Sequence, residues 1–100
     1  MRGFIFLLST SLCACGAQPT PTMFGAERFE ATVGGREYVV FLKGDRAEVI
    51  RLGHARRGEH QQIRATMLDL VPRLTGCRWR ETSVQGDSGE MRGLVTCAKG

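Results

Sequence analysis

The chain predicts an α+β fold: a small antiparallel sheet of about five strands with one helix packed on one face, in the order β-β-β-α-β-β. Three observations predict it. Apolar residues alternate with period two across two glycine-containing turns between Phe29 and Leu52. A single stretch, Gly58 to Leu74, repeats at helical spacing, and a last alternating hairpin carries a cysteine near each end, Cys77 and Cys97.

In the first strand Phe29, Ala31 and Val33 point one way, Glu30 and Thr32 the other. Gly34-Gly35 suits a two-residue hairpin turn that needs positive φ. The run from Arg36 to Lys43 is apolar on both faces, so it belongs inside a sheet. Gly44-Asp45 makes the second turn, and Arg46 to Leu52 returns with Ala47 and Val49 toward Val40 and Leu42. Two-residue turns set Phe29 opposite Val40 and Val40 opposite Val49, giving one apolar face across three strands. Val39, Phe41, Ile50 and Leu52 form a second apolar patch on the other face. Either Met23 and Phe24 cover it, or it is a docking site.

From Gly58 to Leu74, Ile63, Met67, Leu70, Val71 and Leu74 form a helical stripe, and the stripe should face Val40, Val49 and Trp79. Glu59 suits the first turn, Gly76 the C-terminal stop, and Pro72 bends or frays the last turn. The final hairpin pairs Cys77–Ser83 with Met91–Cys97 through Gln85–Glu90. A turn centred on Asp87 sets Cys77 opposite Cys97 and Trp79 opposite Val95, which favours a cross-strand disulfide. Whether this hairpin joins the first or the third strand is open.

Ahead of the domain, Met1-Arg2 gives a positive start and Phe4-Ile5-Phe6-Leu7-Leu8 an apolar centre, followed by the tetrad Leu12-Cys13-Ala14-Cys15. This segment resembles the lipobox signal of bacterial lipoproteins, with Cys13 where a smaller or hydroxylic residue is commoner. The resemblance covers residues 1–18. It implies removal of residues 1–14 and lipidation of Cys15, with palmitate among the acyl chains. Residues 15–23 then form a Pro/Thr tether and residues 24–100 a single domain. Gly16 lacks the aspartate that retains some lipoproteins at the inner membrane, so the resemblance implies a periplasm-facing, outer-membrane location. The rival reading is ordinary signal-peptidase cleavage after Cys15-Gly16-Ala17, whose small residues resemble an A-x-A-like site. The apolar stretch Gly3–Leu12 falls well short of the ~20 residues of a membrane span. With Cys13 removed and Cys15 lipidated, Cys77 and Cys97 remain to pair in an oxidising compartment.

The formal charge of +4 is compatible with binding anionic headgroups or acidic glycans. Nucleic acid does not suit an exported, lipid-anchored protein. Arg78, Arg80 and Arg92 fall on the strand face opposite Cys77 and Trp79, beside Leu94, as a possible binding surface whose arginine forks suit phosphate or carboxylate. Gly86-Asp87-Ser88-Gly89 matches the nucleophile tetrad of trypsin-like serine proteases only in isolation. Position 90 is Glu rather than Gly, and the segment has the composition of a turn. His54 and His60 flank Arg56-Arg57 without metal-site spacing and suit surface positions near a helix start. No catalytic residue, metal or cofactor is therefore expected. The function that follows is a non-catalytic envelope lipoprotein, an accessory or assembly subunit binding a protein or cell-wall partner. A small periplasmic enzyme or enzyme inhibitor is the alternative.

Overall fold

The structure is a computed structural model that describes residues 23–97. Cys15 and the signal segment lie outside the described residues. The order is β1 (Glu27–Val33), β2 (Arg36–Lys43), β3 (Arg46–Arg51), α1 (His60–Thr75), β4 (Cys77–Trp79), β5 (Gln85–Gly86) and β6 (Glu90–Cys97). The sheet runs β1-β2-β3-β6-β4, with β5 also on β6, and the helix covers one face: an α+β fold.

The first three strands are held by their turns. Gly34 and Gly35 both adopt positive φ, 60° and 80°, the twist that a two-residue hairpin requires and that only glycine takes without cost. The resulting register sets Phe29 against Val40 and Val40 against Val49. The last hairpin joins the third strand rather than the first, Ala47 lying opposite Gly93 and Val49 opposite Met91. β6 thus becomes an interior strand and β4 an edge.

Cys77 pairs with Cys97 and Trp79 with Val95. The two sulfurs are 2.04 Å apart and the Cα atoms 4.0 Å apart, so the disulfide ties the edge strand to β6. The expected continuous strand Cys77–Ser83 is broken, however. β4 ends at Trp79, Glu81–Ser83 turns as a 3₁₀ helix, and pairing resumes with Gln85 opposite Arg92. The detour absorbs a register offset: the Ser83 hydroxyl accepts the Leu94 N–H at 2.9 Å and donates to the Arg80 carbonyl at 2.6 Å. Beyond it the β5–β6 turn demands glycine, because a Cβ on Gly86 would lie 2.1 Å from the Glu90 carbonyl oxygen.

The helix begins two residues later than the sequence pattern suggests. Glu59 is its N-cap residue rather than part of the first turn, and its carboxylate turns back to the Arg56 N–H (2.8 Å) and to Arg36 (3.0 Å). That backbone bond, with Arg36 in support, holds the Glu59 carboxyl below its ordinary range. Ile63, Met67, Leu70 and Val71 are buried against Tyr38, Val40, Val49, Met91 and Val95, with Leu74 and Trp79 at the rim. Pro72 does not end the helix. Having no N–H, it leaves the Leu68 carbonyl four residues back without its helical donor. The Trp79 indole supplies one, Nε1 to Leu68 O at 3.0 Å. An edge-strand side chain thus completes the backbone of the helix it packs beside.

On the opposite face Met23, expected to end the tether, is only 4% exposed and packs over Val39 and Phe41. Met23 covers the second apolar patch, and Phe24 does not, standing 59% exposed.

Candidate functional site

Side chains alternate across a strand, so the residues that bury Ala47, Val49, Met91, Val95 and Cys77 under the helix send their neighbours to the back of the sheet. On β3, β6 and β4 those neighbours include Arg46, Glu48, Arg92, Leu94, Thr96 and Arg78. Arg46 lies opposite Leu94 and Arg78 opposite Thr96. Arg80 follows the end of β4, where its N–H donates to the Leu94 carbonyl (2.9 Å) and its Nε to the Thr96 hydroxyl (3.2 Å). Alternation therefore sets Arg78, Arg80 and Arg92 on one face and the structure adds Arg46, while Arg78, on the edge strand, also lines a cleft with Leu68, Pro72 and Trp79 beside the helix. Strand alternation alone does not reveal Arg46, because its membership depends on β3 lying next to β6.

These arginines differ in their partners. Arg92 is paired with Glu90, Nη1 to Oε1 at 2.6 Å. Arg80 holds a hydroxyl, and Arg46 and Arg78 form no ion pair among the described residues. Guanidinium forks left without a carboxylate on an open sheet can take phosphate or carboxylate groups from a partner. A cleft of about 290 Å³ lies beside Arg46 and Arg92, lined also by Met23, Ser83, Gln85 and Leu94.

Glu48 is the unexpected member, 1% exposed on a face otherwise rich in arginine. Its carboxyl group meets that of Glu90, a neighbour across β3 and β6. Two ionised carboxylates offer only acceptors, and Glu90 Oε2 is buried with no donor facing it. A proton on Glu90 would provide that donor. Burial first, then the hydrogen bond and charge of Glu48, push the Glu90 carboxyl up to about 7, against the opposing pull of Arg92.

At the far end of the sheet the Gly86–Gly89 turn is fastened to the start of α1. His60 Nδ1 and Ser88 Oγ share a hydrogen bond, Arg51 Nη1 donates to the Ser88 carbonyl (3.0 Å), and Arg64 Nη1 donates to the Gly86 carbonyl (3.1 Å). A hydroxyl beside an imidazole is the start of a nucleophile–base pair. Here Ser88 is 7% exposed, and the Asp87 carboxylate turns to the Gly89 N–H at 2.8 Å and the Glu90 N–H at 3.3 Å rather than to the ring. Those two N–H groups lower the Asp87 carboxyl below its ordinary range. The arrangement clamps a turn and presents no open nucleophile.

His54 offers its backbone carbonyl to Arg36 at 3.4 Å. Among the described residues no three His, Cys, Asp or Glu side chains come close enough to hold a metal ion. Comparison with protein families, with curated proteins and with solved structures finds no match to this chain, and its function is therefore read from the site itself.

Proposed function

We propose that the chain is a non-catalytic, periplasm-facing envelope lipoprotein, anchored through Cys15, that acts as an accessory or assembly subunit. Its back face holds a partner bearing acidic or phosphate groups. The observation that carries this reading is the gathering of Arg46, Arg78, Arg80 and Arg92 on one open face of β3, β6 and β4. Acidic proteins, cell-wall glycans and phosphate-bearing lipids all supply groups that suit arginine forks. The lipobox-like tetrad supplies the anchor. Uptake of a fatty-acid analogue should label the wild-type chain and not Cys15→Ser, and equal labelling would remove the anchor. Photo-crosslinking in intact cells tests the face: a crosslinker at position 46 or 78 should give adducts that one at position 62, on the exposed side of α1, does not. Equal yields from the two sides would contradict the reading.

A further inference from the structure

The arginines are unevenly placed along the back face. Arg46 faces Leu94, Arg80 binds the Leu94 carbonyl, and Arg78 faces Thr96, so all three crowd the end of the sheet that holds the Gly44-Asp45 turn and the disulfide. Neighbouring strands lie ~5 Å apart, which puts Arg46 and Arg80, two strands apart, roughly 10 Å from each other. The acidic pair Glu48 and Glu90 lies further up the same strands.

The chain joins the fold at this same end. Met23 is buried on the back face, and Lys43 Nζ donates to the Phe24 carbonyl at 3.0 Å, pinning the first described residues to the end of β2. Phe24 itself projects, 59% exposed. Cys15 lies eight residues before Met23. At no more than ~3.5 Å per residue, an acyl group on Cys15 keeps this end within roughly 28 Å of the bilayer surface.

We propose that the basic end of the sheet rests on anionic phospholipid headgroups of the membrane to which the chain is tethered, with Arg46, Arg78 and Arg80 on phosphates and Phe24 at the headgroup level. The domain then stands with its helix turned away from the bilayer. This rests on the lipid-anchor reading, and it selects lipid over a protein or glycan because the tether presents this end first. Attraction of this kind acts only near contact, since charges are screened over ~8 Å at physiological salt. The acyl group then supplies the holding and the arginines the orientation.

Co-sedimentation of the full chain with vesicles tests it, using Cys15→Ser so that acylation plays no part. Each basic residue near an anionic surface adds on the order of a fivefold gain, so phosphatidylglycerol added to phosphatidylcholine vesicles should raise binding about tenfold or more. High salt should remove the gain. Arg46→Glu/Arg78→Glu should remove it too, and since neither arginine has an ion pair among the described residues, the fold should persist. Arg57→Glu, in the loop at the opposite end, should leave the gain intact. Equal binding to both vesicle types would overturn the proposal and return the face to a protein or glycan. A loss with Arg57→Glu as large as with the double variant would overturn it as well. The intact mass of the wild-type chain from membranes reports on the anchor separately, so failure of the anchor and failure of the face are told apart.

Discussion

The two faces of this sheet are built from the same strands and do opposite things. Under the helix, Val40, Val49, Met67, Leu70 and Met91 close into a layer without solvent access. On the back, Met23 caps a patch over β2 and β3, while β3, β6 and β4 also carry Arg46, Arg78, Arg80, Arg92 and the Glu48–Glu90 pair. Burial on one face supplies the cooperativity of a small domain. That leaves the other free to keep exposed arginines that add little to folding, the buried Glu48–Glu90 pair apart.

One residue type sits on both faces and gives the sharpest contrast. Met67 is 0% exposed in the helix layer and Met23 is 4% exposed as a cap over β2 and β3. Met67→Ala should cost about 4 kcal/mol, because its enclosed site cannot collapse, and Met23→Ala about 2 kcal/mol, because its cluster is small and the segment before β1 that carries it can shift to fill the gap. Denaturant melts of the two variants measure the difference, and equal losses would mean that the faces are equally sealed.

The disulfide comes next. Cys77 and Cys97 close a loop with a sequence separation of 20. A Cys77→Ala/Cys97→Ala variant should lose about 3 kcal/mol on the chain-entropy argument. Melts in oxidising buffer measure it, and no loss would mean that the bond adds nothing the strand pairing does not already supply.

A smaller effect concerns the join between helix and edge strand. Trp79→Phe removes the donor that serves the Leu68 carbonyl and should cost about 1 kcal/mol beyond any packing change. Pro72→Ala restores a backbone donor to that carbonyl, so in its background Trp79→Phe should cost less. A double-mutant cycle with no coupling would refute the link.

The acid pair makes the back face sensitive to pH. The Glu90 carboxyl lies at about 7 in the fold against 4.5 ordinarily, so the folded chain keeps a proton that the unfolded chain releases. The stability it contributes is complete below pH 4.5 and is lost as pH rises through about 7. Melting temperature should therefore drift down across that window, and Glu90→Gln should flatten the drift; an unchanged slope would place the proton elsewhere.

The sequence makes the helix face far more legible than the back. Gly34-Gly35 and Gly44-Asp45 dictate a register that period-two alternation then confirms at Phe29, Val40 and Val49. The cysteines align the last hairpin in the same way. The back face needs information that no local pattern holds. Arg46 joins the other arginines, and Glu48 meets Glu90, only because β6 lies beside β3, and that neighbour relation is a long-range choice. The break after Trp79 was hidden because Arg80 to Val84 carries no turn glycine, its offset being settled by the Ser83 hydroxyl. In the sequence Pro72 is an irregularity of the helix and Trp79 an ordinary core-facing strand residue; their elements' hydrogen bond makes them one device.

The most direct test of the division between faces is the unfolding free energy of Arg46→Glu/Arg78→Glu set beside that of Met67→Ala. Exposed arginines without ion pairs among the described residues should shift stability by no more than about 0.5 kcal/mol, while Met67→Ala loses several times that. A loss in the arginine variant as large as in Met67→Ala would show that the back face holds the fold together, and would contradict its reading as a contact surface.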